Sequence, residues 1–127
     1  MLIPVPSRQQ HVDRIQKKWG YEHVIVNNDK YCCKVLQLMR GKQSSLHYHP
    51  KKDELFYIVF GHCTLEYGKR KRKLCEGNFQ RLRPGVAHRF SLSRKAGVIG
   101  CLIVEVSTKH DDSDVVRIEP SGICSED

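Results

Sequence analysis

The sequence predicts an all-β fold, a small antiparallel β-barrel or jelly roll, on three observations. Short segments rich in Val, Ile, Tyr, Phe and Leu recur along the chain, turn signals separate them, and helical apolar spacing is confined to one stretch near the N-terminus. At 127 residues one domain is expected, with an arm over residues 1–20, a barrel over 21–106 and a tail over 107–127.

In the arm, Val12, Ile15 and Trp19 stand at i, i+3 and i+7, which predicts one short helix over residues 9–18. Strands are expected at 22–26 and 31–39, joined across Asn27-Asn28-Asp29, whose side chains tolerate the tight backbone of a hairpin. Further strands are expected at 46–49, 55–60, 63–67, 72–75, 78–82, 88–92 and 98–106. Turns at 50–53, Gly61, Gly68, Gly77, Pro84-Gly85 and 95–97 separate them. The tail from Thr108 is acidic and turn-rich, and its Val115-Val116 pair is expected to lie back on the barrel.

Composition bounds the function. With 39% hydrophobic and 28% charged residues the chain reads as an ordinary globular protein with a modest core. Its 22 basic and 14 acidic side chains give a formal charge of +8, which favours anionic partners. Much of that excess lies in the run 69–73, KRKRK, after Gly68. There it fits a solvated hairpin tip or an edge strand protected by charge, so a nucleic-acid partner is not expected. Six cysteines, at 32, 33, 63, 75, 101 and 124, form no Cys-x-x-Cys pair, and MLIPVPSRQQ lacks the apolar core of a signal peptide. Reduced thiols and a cytoplasmic location are the expectation, with Cys32 and Cys33 pointing to opposite faces of one strand. No apolar run reaches the roughly 18–20 residues that cross a bilayer.

The stretch GKQSSLHYHPKKDELFYIVFG carries the chemistry. On a strand, residues i and i+2 share a face, so His47 and His49 aim two imidazoles at one point. The turn at 50–53 then reverses the chain and brings Glu54 in beside them. In RPGVAHRF, His88 opens another apolar strand after a Pro-Gly turn and supplies a fourth ligand from across a barrel. Three imidazoles and a carboxylate suit divalent manganese, iron, cobalt, nickel or zinc with room for open positions. His11, His23, His62 and His110 have no such setting and read as ordinary surface or core residues. The spacing Gly41-x5-His47-x-His49-x4-Glu54-x6-Gly61 fixes five positions. At background frequencies of at most about 7% it arises by chance on the order of once in a million starting points.

That segment resembles the first motif of the cupin superfamily, and Gly77-x6-Pro84-Gly85-x2-His88 resembles the second, with Leu92 where many members carry asparagine. Within the superfamily the chain is similar to single-domain cupins like the C-terminal domain of type II mannose-6-phosphate isomerases. The segments KKWGYEHVIVNNDKYCCKVLQLMRG, SLHYHPKKDELFYIVFG, RLRPGVAHRF and IVEVSTKHDDSDVVRIE carry that likeness over most of residues 17–119. The longer bifunctional enzymes also have a nucleotidyltransferase domain without counterpart in these residues. Their first ligand position is often glutamine where this chain has His47, and their tail continues differently after Glu119.

The resemblance implies a metal-dependent isomerase of sugars or sugar phosphates, in which a proton α to a carbonyl is removed and returned to the neighbouring carbon through an enediolate. It also implies an anionic sugar as small-molecule substrate and, by analogy, a homodimer. Glu54, as a metal ligand, is the poorer base. Glu105 is the better one, because it interrupts the otherwise apolar CLIVEV and must there be paired or functional. Lys34 interrupts CCKVLQL in the same way, and the resemblance places it near the sugar as a catalytic or binding group; for both residues a structural role is the plainer alternative. Lys52 stands where the similar isomerases often carry arginine and is expected to hold an anionic group. Arg89 follows the last histidine and ranks below Lys52, because strand parity turns it away. Tyr48 is the remaining candidate for substrate contact, with packing its plainer role. An iron-dependent dioxygenase with the same ligands, or a metal-bearing sugar-binding module without turnover, stays open at this point.

Overall fold

The computed structural model describes residues 13–124. Thirteen strands follow in chain order among them: β1 (Asp13–Lys17), β2 (Gly20–Asn27), β3 (Cys32–Met39), β4 (Lys42–Gln43), β5 (Leu46–Tyr48), β6 (Glu54–Phe60) and β7 (His62–Tyr67), then β8 (Arg70–Cys75), β9 (Phe79–Leu82), β10 (His88–Ser91), β11 (Gly100–Ser107), β12 (Val116–Glu119) and β13 (Gly122–Ile123). One antiparallel sheet has the order β1-β2-β3-β11-β6-β9. The other runs β12-β5-β10-β4-β13, with β7 pairing β10 and β8 pairing β7 alone. The all-β jelly roll expected from the sequence is the fold observed.

The expected helix is a correction. Residues 9–12 lie outside the described residues, and the rest of that stretch is β1, laddered onto β2 from Asp13↔Val24 to Lys17↔Gly20. Ile15, meant for a helix's buried stripe, is 40% exposed, whereas Trp19 in the hairpin loop packs on the core. The ladder satisfies every backbone group of β1 that faces β2, which three apolar residues at helical spacing cannot match. Gly20 makes that hairpin possible, because a side-chain carbon there would overlap the Gln37 carbonyl. Gly61, at φ +77°, also sits too close to the Gly100 carbonyl for a side chain, where β6 turns into β7.

Period-two alternation builds the core. Residues turned inward from both sheets, among them Leu38, Phe56, Ile58, Leu65, Leu74, Leu82, Phe90 and Ile103, form one apolar cluster. Each such side chain contributes about 1.5–3 kcal/mol on burial. Along three neighbouring strands the inward column changes character towards the same end: Leu38-Leu36-Lys34 on β3, Cys101-Ile103-Glu105 on β11 and Ile58-Phe56-Glu54 on β6. One end of the barrel is therefore sealed by apolar packing and the other is lined by charge. Cys32 and Cys33 do face opposite ways, one buried and one half-buried. The basic run begins at the β7–β8 turn and continues along β8, an edge strand, where repeated charge discourages pairing with another chain. No helix among the described residues is long and apolar enough to cross a membrane.

Candidate metal centre

The charged end of the barrel encloses a cavity of about 390 Å³. His47 on β5 and His88 at the start of β10 are paired across the ladder, and His49 lies one residue beyond β5 on the same side as His47. Ligand atoms of His47, His49 and His88 all lie within 4.8 Å of one another. Glu54, only 3% exposed, enters on β6 from the opposite sheet, its two oxygens 3.4 Å from His49 Nε2 and 3.3 Å from His88 Nε2. The structure thus gathers the three histidines around one point, with the Glu54 carboxylate against two of them.

The hydrogen bonds of the imidazoles decide what that point accepts. His49 Nδ1 donates to the Asp114 carbonyl at 2.6 Å and His88 Nδ1 to the Val86 carbonyl at 3.0 Å. His47 Nδ1 donates to the Ser45 carbonyl at 3.1 Å, with the Ser45 hydroxyl at 2.8 Å. A carbonyl only accepts, so each ring carries its proton on Nδ1 and keeps a lone pair on Nε2. Burial first, then the neighbouring imidazoles, pushes His47 down to about 3; burial likewise takes His88 to about 4 and lowers His49. All three are neutral ligands at neutral pH. Burial and then the charge of Glu105 raise Glu54 to about 8. Two nitrogen lone pairs facing two carboxylate oxygens repel unless a cation or a proton lies between them, and a mixed nitrogen and oxygen set fits a divalent transition metal. The donor set fits such an ion.

Beside the ligands lies a buried charge network. Lys52 Nζ is 2.6 Å from Glu105 Oε2, 3.3 Å from Glu54 Oε1 and 3.0 Å from His110 Nδ1. Burial acts to raise the Glu105 carboxyl, but Lys52 and Lys34 outweigh it and hold it below the ordinary glutamate value. Burial acts to lower Lys52, but Glu105 and Glu54 outweigh it and hold the ammonium above its ordinary value. Lys34, also buried, lines the cavity and pairs with Glu22 at 3.2 Å.

Lys52 lines the cavity with its ammonium hydrogen-bonded to Glu105 and His110 and 3.3 Å from Glu54. Two other expected substrate contacts are corrected by this geometry. Arg89 lies outside the cavity lining, its guanidinium donating to the Ser44 carbonyl, Glu119 and the Pro120 carbonyl. Tyr48, between two inward histidines, is turned away by strand parity and sits opposite Val116. Conversely, the reading of His110 as an ordinary residue missed its place in the cavity wall, together with Asp112 and Arg117. The signal was the density of His, Asp and Arg in KHDDSDVVR, with Val115 and Arg117 at strand spacing. Asp114 was missed too: its carboxylate accepts from the Lys51 and Lys52 amides at 2.9 and 3.0 Å while its carbonyl orients His49.

The family profile described as a cupin domain matches residues 34–99, just over half of the chain, and spans the three histidines and Glu54. The chain belongs to the cupin family. Solved structures agree on the fold of this cupin. KdgF from Halomonas sp. superposes with a TM-score of 0.70 at 17% identity over 84% of this chain and 94% of its own. Oxalate decarboxylase from Bacillus subtilis gives 0.73 at 16% identity over 84% of this chain, and the capsular polysaccharide assembling protein CapF from Staphylococcus aureus 0.73 at 14% over 85%. The cupin spans only 30% of the decarboxylase chain and 34% of CapF. Among curated proteins none matches the sequence.

Replacing His49 with alanine is expected to lower divalent-metal affinity by more than the roughly 10–100-fold that loss of an outer-shell partner costs. Dialysis followed by elemental analysis checks this; stoichiometric metal retained by the variant contradicts the ligand assignment.

Proposed function

We propose that this cupin is a metal-dependent isomerase of sugars or sugar phosphates, interconverting aldose and ketose as the similar mannose-6-phosphate isomerases do. The observation that carries the reading is a carboxylate held ionised, Glu105, lining the same cavity as the three neutral imidazoles and Glu54. A divalent ion held by His47, His49, Glu54 and His88 would polarise the substrate carbonyl and offset negative charge on the neighbouring oxygens. Glu105 accepts the proton from the hydroxyl-bearing carbon next to the carbonyl and returns it to the former carbonyl carbon, while the hydroxyl proton passes to the former carbonyl oxygen. Lys52, fixed between Glu105 and Glu54, keeps Glu105 ionised and in place. The walls suit a polyol: Glu22, Lys34, His110 and Asp112 offer donors and acceptors, while Trp19, Leu36, Phe56 and Phe90 supply the apolar floor. A small apolar substrate of an oxygen-using enzyme would strip water from those polar walls without offering them hydrogen bonds, at a cost that disfavours it.

The test is proton exchange at the α-carbon of sugar phosphates in deuterated water with metal-supplemented protein, run beside an oxygen electrode. Deuterium incorporation is expected. Oxygen uptake without exchange would replace the isomerase by a dioxygenase, and neither signal would reduce the protein to a metal-bearing sugar-binding module.

A further inference from the structure

We infer that Arg117 is the specificity residue of this site and recognises an oxyanion on the substrate, either a carboxylate or a phosphate monoester. The inference rests on the reading of the cavity as a sugar site. Permanent cations line it at Lys17, Lys34, Lys52 and Arg117. Each lysine has a carboxylate within the protein: Lys17 and Lys34 share Glu22 at 3.9 and 3.2 Å, and Lys52 holds Glu105 and Glu54. Among the described residues the Arg117 side chain has no hydrogen bond and no ion pair. Its position is set by the sheet, because β12 pairs with β5 in the register Arg117↔His47. Residues opposite each other on antiparallel strands share a face with side-chain carbons about 5 Å apart, so Arg117 stands on the ligand-bearing side of the strand. It lies at the solvent end of the cavity, exposed, with Val115 two residues earlier also in the wall.

A guanidinium stays charged at any accessible pH and presents a planar fork matched to two oxygens of a carboxylate or phosphate. A substrate oxyanion on that fork lies on the same face of the sheet as His47. The cavity of about 390 Å³ suits a single acidic sugar rather than a nucleotide or a polymer.

The experiment titrates metal-loaded protein by calorimetry with D-mannose 6-phosphate, D-glucuronate and neutral D-mannose, for the parent, Arg117→Gln and Arg117→Lys. The parent is expected to prefer at least one acidic sugar over mannose. Arg117→Gln should weaken that acidic sugar about tenfold or more while leaving mannose affinity and metal content unchanged, and Arg117→Lys should restore part of the loss. Selective loss of mannose 6-phosphate assigns the phosphate, and of glucuronate the carboxylate. Equal binding by Arg117→Gln and the parent, equal weakening of all three sugars, or a parent indifferent to charge overturns the inference. No turnover is read, so failure of isomerase activity and failure of anion recognition are separate results.

Discussion

Exchanging Glu105 for glutamine is expected to slow α-carbon proton exchange by about 10²–10⁴-fold, the usual worth of a positioned base, with metal content unchanged. Glutamine keeps the volume and one oxygen for Lys52 but gives up the negative charge that accepts the proton. The short contacts of the Glu105 carboxylate are to Lys52 and Ser107 rather than to an imidazole of the three histidines, which separates this effect from loss of the ion. Parent-level exchange by Glu105→Gln would remove Glu105 as the base, and metal lost along with activity would mark it as a support of the ligands.

Lys52→Met is expected to destabilise the protein by about 3–5 kcal/mol at neutral pH, the cost of leaving buried charge without its partner. Glu105, held ionised and 5% exposed, loses its nearest ammonium, whereas Glu54, raised to about 8, is mostly protonated at neutral pH without the ion. The pH dependence distinguishes this cause from lost packing. In the parent the Glu105 carboxyl is held below its ordinary value, so its contribution is present above the ordinary glutamate range and is lost as pH falls through the lowered value. In the variant burial acts without its main counterweight and raises the same carboxyl, so the penalty is present near neutrality and fades as acid protonates the group. The difference between the two proteins therefore shrinks on acidification, as urea denaturation of chelator-treated protein at several pH values would show. A difference that stays constant into acid would mean that shape, not charge, is what Lys52 supplies.

Much of the site was legible because strand parity is local. His47 and His49 need only a two-residue repeat, Glu54 a turn, and Glu105 and Lys34 stood out as charges inside apolar strands. What escaped depends on partners distant in sequence. Lys52 is occupied by Glu105 and His110, 53 and 58 residues away, and nothing near Lys52 announces them. Arg89 was a candidate contact for an anion, and whether the protein itself engages it depends on how the tail crosses β5, which brings Glu119 to it. For β1 the competing pattern was real, since three apolar residues fit one helical stripe, but the ladder with β2 outweighed it. The fold of the barrel needed less, because alternation and turn residues repeat through the whole chain.

The hold of Asp114 on His49 has a consequence for biosynthesis. Residues 111–119 leave the ribosome after every strand that bears a ligand, so the second imidazole acquires its final aim last. Until that segment docks, the His49 ring lacks the hydrogen bond that fixes which of its nitrogens carries the proton.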